Sequence, residues 1–295
     1  MNARALTTAR AASRQRRFAS KQTRAIAVYA VLLVLCVPFV FPFWWMITSS
    51  FKSFSEIFAY PPTLLPTTFN LDNYRQVFEL QPFVRQYWNS LYIATLVTLG
   101  TVFSGSLAGY AFARIRFAGS TLIFLLLLSA IMMPSEVTII PLFHYIQDLG
   151  LANSHLPLVL LPMFAGPGIT ATFMTRQYFL GLPEELEDAA YLDGLSRWGI
   201  FWRIALPLAR PVLVAVAILT FLASWNLFLE PLVLITDPNK FTLPLALRGY
   251  TDPYGQPLWG EQLAATTMSI IPVLALYVVA QRHVVESFAF SGLKG

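Results

Sequence analysis

At 295 residues the chain could hold two soluble domains, but 56% of its residues are hydrophobic, 12% are charged and its mean hydropathy is +0.60. Soluble domains carry roughly 25% charged residues, so this composition excludes an ordinary soluble globule and indicates a polytopic membrane protein. The net charge of +5 does not indicate nucleic acid binding, because the basic residues are dispersed without aromatic interleaving or a binding motif.

The chain opens on a tail, residues 1–24, that holds seven basic residues and no acid. The apolar run behind it exceeds the core of a secretory signal, so a cleavable signal is not expected. Cys36 lies in that run and is the sole cysteine, which rules out an internal disulfide and leads us to expect a buried structural thiol.

A membrane-crossing helix needs about 20 mostly apolar residues, because the hydrocarbon core is about 30 Å thick and each residue rises about 1.5 Å. Six segments qualify, at 25–49, 88–112, 119–141, 156–175, 209–235 and 262–281. Prolines at 38, 42, 134, 162, 167, 231 and 272 predict kinks or breaks within them. Gly166 and Gly168 around Pro167 should loosen the fourth segment further. In the second segment, Ser104, Gly105, Ala108 and Gly109 form a small-residue strip that predicts close helix packing.

Fifteen of the twenty lysines and arginines fall in the tail and in the segments on its side of the bilayer, with Lys52, Arg75, Arg85, Lys240 and Arg248 opposite. The positive-inside rule then places both termini in the cytoplasm. The external connections, 50–87 and 236–261, are rich in proline and turn formers, with a short helix predicted near "DNYRQVF".

The densest charge cluster, "EELEDAAYLDGLSRWGIFWRIALPLARP" at 184–211, lies between the fourth and fifth segments. Pro183 suits a first helical turn, and Glu184, Glu185, Glu187 and Asp188 favour its positive end, so a helix should run to about Asp193. Gly194 should end it in a left-handed turn. Ser196 is the expected cap of a second helix on which Trp198, Phe201, Trp202 and Ala205 share a face, with Leu195 packing on Ile200. Such an element either lies on the membrane surface or fits a groove on a cytoplasmic partner.

Few groups indicate chemistry. The three histidines, His144, His155 and His283, are scattered, no metal-ligand cluster stands out, and no G-x-x-x-x-G-K-[ST] loop is present to hold a nucleotide. Glu136 and Glu230 are the acids at membrane depth, each either hydrated near an interface or facing a pathway. Trp225 and Asn226 are an aromatic and amide pair suited to a sugar, although helix packing is the preferred account of the tryptophan.

The pattern Asp188, Ala189, Ala190, three residues, Gly194, nine residues, Ile204, x, Leu206, Pro207 resembles the EAA loop of ATP-binding-cassette importer permeases, with Asp188 replacing the leading glutamate. "NSLYIATLVTLGTVFSGSLAGYAFAR", "MPSEVTIIPLF", "SWNLFLEPLVL", "LPLAL" and the closing "SGLKG" are similar, in the same order, to carbohydrate-uptake permeases of the maltose and glycerol-3-phosphate type. The ending "SGLKG" departs from the commoner GAVKG.

The resemblance implies an all-α permease with six transmembrane helices and a cytoplasmic helix-turn-helix coupling loop at about 177–207. Residues 25–283 would form the permease domain between the 1–24 tail and a cytoplasmic tail at 284–295. The loop, with Glu184, Glu187, Asp188, Ala189, Ala190, Asp193, Gly194, Trp198, Ile204, Leu206 and Pro207, would sit in a cleft of an ATPase subunit. There Asp188 would face basic groups, and Ala189 and Ala190 would allow close approach. The chain itself would carry no cofactor, ATP and Mg being bound by two partner ATPases. A second permease and an extracytoplasmic sugar-binding protein would complete an importer of a di- or oligosaccharide in the bacterial inner membrane. Glu136, Trp225, Asn226 and Glu230 are the candidate pathway residues. The alternative is an ATP-independent channel or ion-coupled transporter whose amphipathic loop lies on the bilayer, and a membrane scaffold or assembly protein is a third class.

Overall fold

A computed structural model describes the backbone of residues 3–291 and the side chains of residues 25–281. The side chains of the basic tail, of Arg282, His283 and Lys294, and the end of the "SGLKG" motif lie outside the described residues. Among the described residues the secondary structure is helical, and the one β-type pairing is an isolated bridge between Thr251 and Pro257. The chain resolves into two compact units, residues 1–71 and 72–295.

The first unit is built on α1, Ala3–Ser49, which runs through Pro38 and Pro42 without interruption. Side chains from 25 to 43 are exposed, Cys36 among them. The expectation of a buried thiol is therefore corrected: the apolar character of this segment fits it to lipid, so a residue inside the run need not be inside the protein. After α1, Lys52 is buried, with its Nζ donating to the Thr63 carbonyl at 2.5 Å and lying 4.4 Å from the Trp45 ring centroid. The short helix α2, Phe54–Ile57, precedes a loop in which Glu56 accepts from the Thr67 backbone N–H at 2.7 Å.

The second unit begins with α3, Asp72–Leu80, the helix expected near "DNYRQVF". Behind it, α4, Phe83–Arg114, has 32 residues, enough at about 1.5 Å each to cross the hydrocarbon core with turns to spare. The chain continues through α5, Ser120–Ile131, and α6, Ser135–Asp148, which meet at 99°. This corrects the single third segment at 119–141: Pro134 is extended at φ −62°, ψ 134°, and a proline disfavours helix at the residue before it. Next come α7, Leu156–Phe164, and α8, Gly166–Leu180, interrupted at Ala165 beside the expected Gly166-Pro167-Gly168 weak point.

Two short helices, α9, Glu185–Leu192, and α10, Arg197–Ile200, lead through a π-turn at Phe201–Ala205 into α11, Leu206–Leu208. The chain then bends by 76° into α12, Arg210–Trp225. Here too the sequence expectation, one span over 209–235, is corrected. Helix stops at Trp225 and resumes as α13, Leu229–Leu234, because Pro231 has no N–H for the Leu227 carbonyl and its ring crowds that position. The unit ends with α14, Leu243–Leu247, α15, Trp259–Ser269, and α16, Ile271–Ser291, the last two separated at Ile270 next to Pro272. By length and apolarity the described residues supply four membrane-crossing helices, or six when each bent pair is one span.

α4 is the central element, packing most extensively on α8 and then on α12 and α7. The glycines on it explain the close approach. A Cβ at Gly105 would stand 2.5 Å from the Ala171 Cβ, and one at Gly109 would stand 2.8 Å from the Arg176 backbone nitrogen. Three apolar clusters line α4 in succession. Phe83 and Ala94 pack with Phe221, Trp225 and Tyr250; Ile93 and Val97 with Leu158 and Leu234; and Tyr110 with Phe179, Phe201 and Ala205.

Candidate functional site: a helix-turn-helix elbow and a cavity

The elbow follows from its local chemistry. Glu185, Glu187 and Asp188 lie in the first turn of α9, where the helix dipole favours acids. At its end Gly194 takes φ +81°, the Gly194 N–H donates to the Tyr191 carbonyl at 3.0 Å, and the Leu195 N–H donates to the Ala190 carbonyl at 3.0 Å. This pair of bonds is a Schellman cap, which requires the left-handed residue between them. Ser196 caps α10 as expected, its Oγ accepting from the Gly199 N–H at 3.2 Å. Arg197 Nε donates to the Tyr191 hydroxyl at 3.0 Å and so joins the two arms.

The faces divide differently from the helical count over the second arm. Phe201 and Ala205 are buried together with Ile200, whereas Trp198 and Trp202 remain half-exposed. The π-turn at 201–205 shifts the angular register, so the four residues do not share one face. Ala190 is also buried within the chain. Asp188, Ala189, Asp193 and Gly194 are exposed, and Leu192, 90% exposed, is the most uncovered apolar side chain of the elbow. Ile204 and Leu206 are half-buried and Pro207 is exposed.

What holds the elbow is visible only in three dimensions. Arg114, in the last turn of α4, donates through Nη2 to the Leu182 carbonyl at 2.6 Å. Its Nε lies 2.9 Å from Glu187 Oε1 and its Nη1 3.4 Å from Glu184 Oε1. The Tyr110 hydroxyl donates to the other Glu187 oxygen at 3.2 Å. Glu187 is thus engaged within the chain, while Glu184 stays mostly exposed.

The four candidate pathway residues do not form one cluster. Trp225 is buried, stacked on Phe221 at 5.8 Å between centroids and edge-on to Tyr87 at 5.7 Å. Asn226 is exposed and donates back to the Leu222 carbonyl at 2.8 Å. Glu136 is exposed in the first turn of α6. Glu230 is half-buried on the wall of a cavity of about 480 Å³ between the α5–α6 corner, the α7–α8 break and the α12–α13 break. Ser224, absent from the sequence reading, lies on the same wall.

Residues 100–288 match the family model described as the binding-protein-dependent transport system inner membrane component. The chain belongs to this family. It is 39% identical over 259 residues to the arabinooligosaccharides transport system permease protein AraQ of Halalkalibacterium halodurans, covering 87% of this chain and 91% of that protein. The trehalose/maltose transport system permease protein MalG of Thermococcus litoralis is 34% identical, covering 92% and 96%. The inner membrane ABC transporter permease protein YcjP of Escherichia coli is 33% identical, covering 92% and 96%. A crystal structure of a bacterial ABC transporter involved in the import of alginate shares the fold, with a TM-score of 0.75 at 22% identity over 89% of this chain and 97% of that one. This binding-protein-dependent permease is therefore a multi-pass inner-membrane transport subunit, and the family does not favour an ATP-independent channel or ion-coupled carrier.

Proposed function

We propose that this permease forms half of the translocation pathway of a sugar importer, with a second permease as the other half. Its elbow engages one of two cytoplasmic ATPases, which bind ATP and Mg, and an extracytoplasmic sugar-binding protein delivers the substrate. A di- or oligosaccharide is the substrate class, in keeping with the arabinooligosaccharide and trehalose/maltose systems of its relatives. The termini and the elbow face the cytoplasm by the positive-inside count.

One observation carries this reading: a capped, α4-anchored elbow that presents Leu192, Tyr191 and Trp198 outward next to Asp188. Apolar side chains ringed by acids suit insertion into a groove with a basic rim. A body fixed this firmly to α4 moves with whatever grips it, so closure of the ATPases on ATP shifts the populations of inward-open and outward-open states.

The test is co-purification of the assembled importer and its ATP-driven sugar uptake in proteoliposomes, with Leu192→Glu. The variant is expected to insert normally, lose ATPase subunits on detergent extraction and abolish uptake. Retained ATPases and normal uptake would remove the elbow from the coupling path.

A further inference from the structure

The cavity bearing Glu230 has a chemistry of its own. Its volume, about 480 Å³, falls within the range of about 300–1,000 Å³ typical of small-ligand sites. Most of the wall is apolar, including Leu142, Leu161 and Pro162, and the polar groups are few: Ser224, Glu230 and Thr138 among them. No lysine, arginine or histidine lines it.

Two of these groups are unsatisfied. Ser224 is 7% exposed, and its Oγ has no hydrogen-bond partner among the described residues. A buried hydroxyl without a partner costs free energy and calls for an occupant that supplies one. Among the described residues no hydrogen bond or ion pair reaches the half-buried Glu230 carboxylate. Thr138 has spent its proton on the Ser135 carbonyl at 3.1 Å, which leaves its oxygen free to accept.

We propose that this cavity is a subsite for an uncharged polyhydroxyl segment, one or two sugar units, and that Glu230 excludes anionic sugars from it. The inference rests on the reading of the chain as half of a sugar pathway. Glu230 accepts from one or two sugar hydroxyls, Ser224 and Thr138 exchange hydrogen bonds with others, and the C–H face of the ring lies on Leu142 and Leu161. A uronate, sulfonate or phosphate would bring a second negative charge beside a carboxylate with no cation on the wall. In a partly desolvated site that repulsion outweighs any hydrogen bond the anion could form.

The experiment uses the complete importer in proteoliposomes. Saturation-transfer NMR compares maltose, trehalose and cellobiose with maltobionate, the acid analogue of maltose. At least one neutral disaccharide is expected to bind, with maltobionate weaker by about tenfold or more. Glu230→Gln, which keeps shape and one accepting oxygen but removes the charge, should narrow that gap to about threefold, and Ser224→Ala should weaken the neutral sugar severalfold. Equal binding of acid and neutral sugar, an unchanged ratio in Glu230→Gln, or no disaccharide signal would overturn the subsite. ATP-driven uptake of the same disaccharides with the importer's own binding protein separates the two readings. Sugar uptake indifferent to Glu230 and Ser224 sinks the subsite alone, and no ATP-driven uptake of any sugar sinks the sugar pathway itself.

Discussion

Arg114, at the end of α4, stands with its Nε 2.9 Å from the Glu187 carboxylate of α9, so the elbow is tied to the longest helix of its unit by a largely buried charge pair. The side chains are 8% and 17% exposed, against 78% for Glu184, the second acid near the same guanidinium. Burial decides which pair matters. Removing one partner of a buried pair costs about 3–5 kcal/mol, because the other charge is left uncompensated, whereas an exposed pair contributes about 0–1. Arg114→Ala should therefore lower uptake at least tenfold and leave ATP hydrolysis poorly coupled to transport. Glu184→Ala should change uptake less than twofold. Measuring both rates in proteoliposomes checks this, and equal losses in the two variants would contradict it.

Gly194 gives a second, purely conformational, prediction. No atom lies within 4 Å of a Cβ built there, so substitution meets no steric obstacle and only the φ of +81° resists a side chain. Left-handed backbone costs an ordinary L-residue roughly 1–2 kcal/mol, and less for asparagine. Gly194→Ala should weaken the cap and raise amide exchange at Leu195, whose N–H bonds the Ala190 carbonyl. Gly194→Asn should have a smaller effect. Hydrogen exchange by mass spectrometry over 184–200 ranks the two; an equal or reversed order would mean that the cap is not what fixes the elbow.

What could be read in the sequence was local. The left-handed turn at Gly194, the cap at Ser196 and the packing strip at Gly105 and Gly109 each depend on residues adjacent in sequence or on one helix face, and all three are in place. Missed features needed distant partners. Arg114 and Glu187 are 73 positions apart, and neither residue's surroundings indicate that they meet. The breaks at Pro134 and Pro231 were foreseeable as irregularities, but the 99° angle between α5 and α6 depends on how neighbouring helices accommodate the freed carbonyls. Of the two acids at membrane depth, Glu230 lines a cavity and Glu136 is exposed, a difference that could not be read in advance because hydropathy carries no record of which side of a helix meets a cavity.

The contacts of α4 with α7 and α8 predict a graded response among glycines of one helix. At Gly100 a new Cβ meets the end of the Met163 side chain, which can swing away. At Gly109 it meets the Thr175 side chain and, at 2.8 Å, the Arg176 backbone nitrogen, which cannot. Gly100→Ala should be tolerated within about 1 kcal/mol, whereas Gly109→Ala should cost about 1–3 kcal/mol or force the helices apart. Thermal unfolding in detergent, followed by far-ultraviolet circular dichroism, measures both. Equal stability of the two variants would mean that the contact is looser than its geometry implies.

The turn at 236–241 yields a pH prediction with a definite sign. The Asp237 carboxylate accepts from the Asn239 backbone N–H at 2.9 Å and from its side-chain amide at 3.2 Å. That backbone bond is the largest cause holding its pKa below the usual range; desolvation, the next in size, opposes it, and the side-chain bond, Lys240 and Arg85 add to the lowering. A carboxyl group with a lowered folded pKa adds stability above its unfolded value of about 3.9, and that contribution disappears as pH falls through the folded value. After correction for intrinsic rates, protection of the Asn239 amide should stay level from pH 7 to about 5 and fall only near and below about pH 4. Asp237→Asn should abolish the acid-dependent part of the change. The same segment is tied to the rest of its unit by the His155 ring nitrogen on the Lys240 carbonyl at 2.6 Å and by Lys240 Nζ, which donates to the Asn153 carbonyl at 2.8 Å. Only local exchange should therefore respond, with no change in global unfolding, and protection already lost above about pH 5 would show that Asp237 is not the controlling group.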